Sequence, residues 1–189
     1  MIHFGHDHSL SCSGDFDKRG KQIGRFDIPL SAHDGAWGVV RDPIIMISNG
    51  NGATVKLEGG NHGDEYEGPV VLGEIIRDLN AENVNGRLII IPVINTPTVD
   101  ADCRVSSIDG VNVNRSVPGG FQGTTTQQIS AFVNLALFSL GDVFFDFHSG
   151  GSSLDIIPSS VIEPVNDPDL NRRTRFCGQG IWGICNGYH

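Results

Sequence analysis

Cysteine is scarce in this chain and widely scattered. Its four thiols, Cys12, Cys103, Cys177 and Cys185, form no C-x-x-C pair and no dense framework, which excludes a zinc ribbon and a disulfide scaffold. Basic charge is also short, because 13 lysines and arginines against 22 acidic residues leave a formal net charge of −9. That balance argues against a nucleic-acid or anionic-membrane partner. Long apolar runs are missing too. Leu88 to Ile94 is the longest, is broken by Pro92, and falls far below the roughly 20 residues that a bilayer span requires. No basic-then-apolar leader opens the chain, so the expected location is a reducing cytoplasm. A G-x-S-x-G elbow, a Walker loop and a dinucleotide fingerprint are all absent, which removes the corresponding serine-hydrolase and nucleotide chemistries.

What remains is an ordinary globular composition, 39% apolar and 19% charged, long enough at 189 residues for one sizeable core. Residues 1–22 are polar and glycine-rich at first and read as a lead-in with little regular structure. Strands are expected at Ile23–Leu30, Pro43–Ser48 and Ala53–Glu58. The linker Asn49-Gly50-Asn51-Gly52 predicts that the last two pair as a hairpin, since Asn and Gly tolerate the positive φ of tight turns. Glu67–Asn80 reads as a helix with Pro69 in its first turn and Val70, Val71, Ile75 and Leu79 on one apolar face. Gly86–Asn95 has the look of a strand buried on both faces. The long polar stretch Thr96–Gly123 lacks periodicity, and loops of that length in a small domain are usually functional. Thr124–Leu140 predicts a threonine-capped helix with Phe132, Leu135, Ala136 and Leu140 inward, followed by a buried strand at Asp142–Phe147. This alternation predicts an α/β fold, with a mixed, centrally parallel sheet flanked by helices.

The chemistry concentrates at two places. Gly59-Gly60-Asn61-His62-Gly63-Asp64-Glu65 sets an imidazole and a carboxylate three residues apart, between a strand and a helix. Asp146-Phe147-His148-Ser149-Gly150-Gly151 ends a second strand on another imidazole. Ligands of parallel sheets bind at the carboxyl ends of strands, where both segments lie. Two histidines and one glutamate leave a fourth position open, the pattern of a hydrolytic rather than a structural zinc site. An isolated H-x-x-E pair recurs by chance, and a single histidine is more often an ordinary core or surface residue. Here the flanking glycines and polar residues favour a loop mouth over a core. His3, His6, Asp7 and His8 could also hold a metal but read better as a mobile terminus. Taken alone, Arg104 and Arg115 read as residues of a solvated loop.

The strings GGNHGDEYEGP, INTPTVDADCRVSSIDGVNVNRSVPG and DFHSGG together resemble the succinylglutamate desuccinylase/aspartoacylase family of zinc hydrolases, relatives of the metallocarboxypeptidases. The resemblance runs from about Ile23 to about Thr174 and is strongest to the branch that deacetylates N-acetyl-diaminobutyrate in ectoine breakdown. It implies a zinc carboxypeptidase-like sheet and one Zn2+ per chain, held by His62, Glu65 and His148. It implies that Arg104 polarises the scissile carbonyl and steadies its oxyanion, and that Asn114 and Arg115 grip the substrate α-carboxylate. The planar fork of a guanidinium suits that last task in a way lysine does not. The reaction implied is hydrolysis of the amide of a small N-acyl amino acid, with zinc acidifying the attacking water. A carboxypeptidase-like peptide hydrolase, and a fragment that binds zinc and substrate without turnover, are the competing readings. A homo-oligomer is compatible with all of them.

The chain also departs from that family. Its members place a glutamate general base in a later Thr-Glu-Leu-Gly-like motif, whereas the one glutamate after His148 here is Glu163, in Ile162-Glu163-Pro164. Residues 23–175 are therefore expected to be the amino-terminal portion of the hydrolase domain, incomplete at its carboxyl end. Residues 176–189 form an atypical tail. Read one base later, suitable codons for Gln179–His189 can spell a segment resembling the family's Ala-Phe-Gly-Ala, so a frameshift near Phe176 is expected.

Overall fold

The apolar runs assemble into one seven-stranded sheet. The computed structural model describes residues 2–3, 11–32 and 35–182, in two units, Met1–Ser152 and Ser153–His189, and the sheet belongs to the first. Its strands are β1 (Ile2–His3), β2 (Ser11–Ser13), β3 (Gly20–Ala32), β4 (Gly35–Asn49), β5 (Thr54–Gly59), β6 (Gly86–Ile91) and β7 (Val143–Phe147). They lie in the order β1-β2-β3-β4-β6-β5-β7. The pairings from β1 through β4 to β6 are antiparallel, and β6, β5 and β7 run parallel. Helices α1 (Glu67–Asp78), α2 (Thr96–Asp100) and α3 (Thr125–Ala131) accompany the sheet. The expected mixed sheet with parallel strands and flanking helices is present.

Alternation along the strands divides the core in two. Ile45 and Ile47 of β4, Ile90 of β6 and Leu57 of β5 pack with Leu72 of α1, joined by Ile75, Ile76, Leu79, Phe145 and Phe147. On the other face Ile44, Met46, Ile89 and Ile91 pack with Ile129 of α3 and with Phe132, and Phe26 stacks on Phe132 at 3.6 Å between ring centres. A period of two on strands buried from both sides produces this pair of interleaved apolar sets.

Several local expectations fail for identifiable reasons. Pro43–Ser48 and Ala53–Glu58 do not form a hairpin, because β6 inserts between β4 and β5, and β4 instead turns back on β3. Residues 11–22 are not featureless, since β2 pairs with β3 and both Cys12 and Phe16 enter the core. On α1, Val70 and Val71 face outward, 56% and 44% exposed, and Leu72, Ile75 and Ile76 take the inward stripe. Beyond α3 the chain winds wider, with π-type turns over Phe132–Leu137. The wider winding carries Leu137 rather than Leu135 inward from Phe132. The β7 strand is half-buried throughout, not fully buried. The stretch from Thr96 to Gly123 holds α2 and a single 3₁₀ turn at Val113–Arg115.

The second unit carries α4 (Pro168–Trp182), whose first turn is capped by Asp167 Oδ1 accepting from the amides of Asp169 and Leu170, both at 3.0 Å. The preceding segment is tied to it by Asn171, whose side chain bonds both backbone groups of Val165. His6, Asp7 and His8 of the terminal cluster and residues 183–189, half of the atypical tail, lie outside the described residues. No helix among the described residues is long and apolar enough to cross a membrane.

Candidate metal centre

The parallel pairing of β5 with β7 sets Gly59 opposite Phe147, so the loops that follow both strands emerge side by side at the carboxyl edge. The first loop is pulled tightly inward. Gly63 donates its N–H to the Cys103 carbonyl at 2.8 Å, and a Cβ at Gly63 would stand 1.8 Å from the Thr98 carbonyl oxygen. Only glycine fits there. This clamp buries His62 and Glu65 almost completely, at 2% and 3% exposure. The second loop begins with His148, whose side chain is 34% exposed.

The three side chains converge on one point. Glu65 Oε1 lies 2.8 Å from His62 Nδ1, Glu65 Oε2 lies 2.7 Å from His148 Nδ1, and the imidazole centres are 5.1 Å apart. One ligand atom from each of the three falls within 4.8 Å of the others. Each imidazole presents Nδ1 to this point and has an oxygen acceptor at Nε2. His148 Nε2 meets Asp146 Oδ2 at 2.7 Å, and His62 Nε2 meets Asn112 Oδ1 at 3.4 Å. An acceptor on the far nitrogen selects the tautomer that leaves Nδ1 free to bind a metal. The residues therefore fit a zinc ion by donor chemistry, proximity and outer support.

Electrostatics follow the same contacts. The Asp146 hydrogen bond, opposed by burial and reinforced by Glu65, holds the His148 pKa up at about 9. Burial pushes the Glu65 carboxyl upward, but His148, His62 and the Ser149 amide outweigh it and keep Glu65 below the ordinary glutamate value. Arg104, half in solvent, donates to Glu65 Oε1 at 2.7 Å and so stands at the mouth. Asn114 Nδ2 lies 3.3 Å from His148 Nε2 and Asn114 Oδ1 accepts from Asn61 Nδ2 at 2.8 Å, which places its amide against the centre. The exposed Arg115 guanidinium donates to the Asn114 carbonyl at 3.3 Å. All six residues anticipated from sequence are thus assigned positions, with His62, Glu65, His148, Arg104 and Asn114 in one bonded cluster and Arg115 at its rim.

Sequence reasoning missed the supporting residues. Asp146 lies two positions before His148, and the period of a strand places such a pair on one face, a signal present in D-F-H but not used. Asn112 accepts from the Asn114 amide at 2.9 Å as well as contacting His62, so it caps the turn that carries Asn114 and Arg115. Nothing in its local sequence indicates the second of these contacts.

Residues 51–176 match the model of the succinylglutamate desuccinylase/aspartoacylase catalytic domain. The N-alpha-acetyl-L-2,4-diaminobutyric acid deacetylase of Halomonas elongata is 43% identical over 164 residues, covering 87% of this chain and 48% of that protein. The crystal structure of a succinylglutamate desuccinylase/aspartoacylase from Rhodobacter sphaeroides superposes with a TM-score of 0.86 at 39% identity, over 89% of this chain and 52% of that one. The product-bound ectoine utilization protein of Ruegeria pomeroyi gives 0.73 at 44% identity, over 77% and 44%. The chain spans about half the length of these relatives.

Proposed function

Since the chain belongs to the succinylglutamate desuccinylase/aspartoacylase family, we propose that its centre serves zinc-dependent hydrolysis of the amide of a small N-acyl amino acid. N-acetyl-diaminobutyrate, named in the Halomonas relative, is the proposed substrate. The observation that carries this reading is the convergence of His62, Glu65 and His148, each histidine braced from behind.

In this reading the three side chains would hold a zinc ion through His62 Nδ1, His148 Nδ1 and the Glu65 carboxylate, and the ion would supply Lewis acidity and acidify water. Asp146 and Asn112 keep the imidazoles in the donor tautomer. Arg104 is long, half-exposed and anchored to Glu65 by one nitrogen, which leaves the rest of its fork to stabilise charge developing on the carbonyl oxygen. Asn114 and Arg115 receive the α-carboxylate and so fix which amide bond faces the centre. Asn61 holds the Asn114 amide in place for that task.

A second reading has its own support. Glu163, the one glutamate beyond His148, is exposed and lies in the second unit, outside any motif of the general-base type. A missing proton shuttle lowers turnover by about two to four orders of magnitude. The 189-residue chain would then bind zinc and substrate with little product. Metal content and deacetylase turnover, measured on the chain and on His62→Ala, test both readings. One zinc per chain, lost in H62A, supports the centre, and turnover above that level refutes the second reading. Equal metal content in both proteins would refute the centre itself.

A further inference from the structure

Two hydroxyl groups on α3 are buried where an amphipathic helix would carry apolar side chains. Thr126 and Ser130 have no exposed surface and stand four residues apart, on one stripe of the helix. Both hydroxyls turn to the same loop, the stretch that carries Arg104, Asn114 and Arg115. Thr126 donates its hydroxyl to Asp109 Oδ1 and its amide to Asp109 Oδ2, each at 2.8 Å. Ser130 donates its hydroxyl to the Val113 carbonyl at 3.2 Å and also contacts the Ser116 hydroxyl.

The turn held by these anchors is the one that presents Asn114 and Arg115. Asp109 Oδ1 also accepts from the Val111 amide at 3.1 Å, and the Val111 carbonyl accepts from the Ser106 amide at 3.0 Å. Asn112 starts the turn, its side chain accepting from the Asn114 amide at 2.9 Å and its carbonyl from the Arg115 amide at 3.0 Å. Val113 then drops its side chain into the core beside Ile129 and Phe132, 3% exposed. Downstream the turn is thus held by Val113 and Ser130. Upstream, the Asp109 carboxylate ties it to α3. Burial pushes the Asp109 pKa up, but the amide and hydroxyl of Thr126, the Thr124 hydroxyl and the Val111 amide outweigh it and keep the group below the ordinary aspartate value. Hydrogen bonds to an ionised acceptor are about twice as strong as neutral ones.

We propose that Asp109 is a positioning residue for substrate: its carboxylate fastens the loop to Thr126 of α3 and thereby fixes the turn from which Asn114 and Arg115 meet the α-carboxylate. That purpose rests on the proposed role of Asn114 and Arg115, whereas the fastening does not. A planar fork meets a carboxylate in one geometry, so a turn free to shift weakens the grip. Asparagine at 109 has one oxygen in place of two. Whichever way it turns, the amide of Val111 or of Thr126 faces its NH2 group.

Four proteins test this: the full chain, Asp109→Asn, Thr126→Val and Thr126→Ser. The probes are 2,4-diaminobutyrate, the amine product of the proposed reaction, and its α-carboxamide, each titrated calorimetrically at saturating Zn2+. The parent should prefer the carboxylate about 10- to 100-fold, the worth of hydrogen bonds between charged groups. D109N should lose about tenfold of that preference and T126V about fivefold, whereas T126S, which keeps the hydroxyl, should stay within about twofold. A merely structural Asp109 would lower stability in urea and leave the ratio of the two affinities as it is. Hydrogen exchange in the metal-free chain reads the fastening separately. Peptides spanning 107–120 should exchange about tenfold faster in D109N and about threefold faster in T126V, while those of β5 and β6 should not change. A parent-like preference in either variant overturns the proposal, and so does parent-like exchange in D109N. If the parent shows no preference for the carboxylate, the assignment of Asn114 and Arg115 fails and the purpose of the anchor with it, while exchange still decides whether Asp109 fastens the loop.

Discussion

Replacing Asp42 by asparagine probes how this sheet tolerates buried acid. Asp42 sits on β4 with no exposed surface, and its Oδ1 accepts from both the amide and the hydroxyl of Thr96. Its Oδ2 is buried with no partner among the described residues. Burial raises its pKa from 3.8 to about 7, against the Thr96 hydrogen bonds and with help from Asp100. The folded chain therefore holds a proton at Asp42 that the unfolded chain gives up above about pH 4. The associated stability is complete below that point and is lost as pH climbs through about 7. At up to about 1.36 kcal/mol per pH unit, falling to half that slope at the folded pKa, the interval from about 5 to about 7 removes about 2.3 kcal/mol. Asparagine retains the Oδ1 acceptor and does not titrate. Urea unfolding of both proteins at about pH 5 and about pH 8 reads the effect, since the other ionisations are common to the two apart from that of Glu58, whose carboxyl Asp42 also helps to raise. D42N should gain about 2–3 kcal/mol on the parent between those conditions. A stability difference that stays constant with pH would refute the reasoning and mean that Asp42 remains ionised and solvated.

Two substitutions examine the centre from outside its ligands. Asp146→Asn, which weakens the acceptor behind His148, should lower Zn2+ affinity about 10- to 100-fold in chelator competition while far-ultraviolet circular dichroism stays unchanged. Gly63→Ala would drive a methyl group into the Thr98 carbonyl, and the resulting overpacking should cost about 1–3 kcal/mol in urea unfolding and reduce bound zinc in proportion. An alanine variant with parent-like stability would show that the loop shifts freely.

The site was more legible than its scaffold. His62 and Glu65 announced themselves because glycines and polar residues surround them at the end of an apolar run, and His148 repeated the pattern. Topology was hidden where local signals carry no information about partners. Asn49–Gly52 correctly marks a turn, yet the turn leads β5 past β4 to a place beside β6, which lies about 30 residues later in the chain. Nothing in the linker can report that crossover. Helix faces failed through ambiguity of another kind. Val71 stands four residues before Ile75, a helical spacing, and only packing under α1 selects Leu72 and Ile76 in its place. The register after α3 was lost to the wider turns at Phe132–Leu137, which break a period of 3.6. Asp146 is legible only through the D-F-H spacing, which sets its carboxylate and the His148 imidazole on one face of a strand.

The position of β7 would give the proposed metal a second consequence. Among the described residues this strand pairs with β5 alone, so His148 hangs on a margin of the sheet secured from one side. An ion shared by His62, Glu65 and His148, as proposed, would stitch that margin to a loop more than 80 positions earlier in the chain. Such a stitch adds stability by mass action, about 2.7 kcal/mol at a free metal concentration one hundred times its dissociation constant. Reciprocity then binds the two together: a chain stripped of metal frays first at β7, and a frayed β7 surrenders metal more readily.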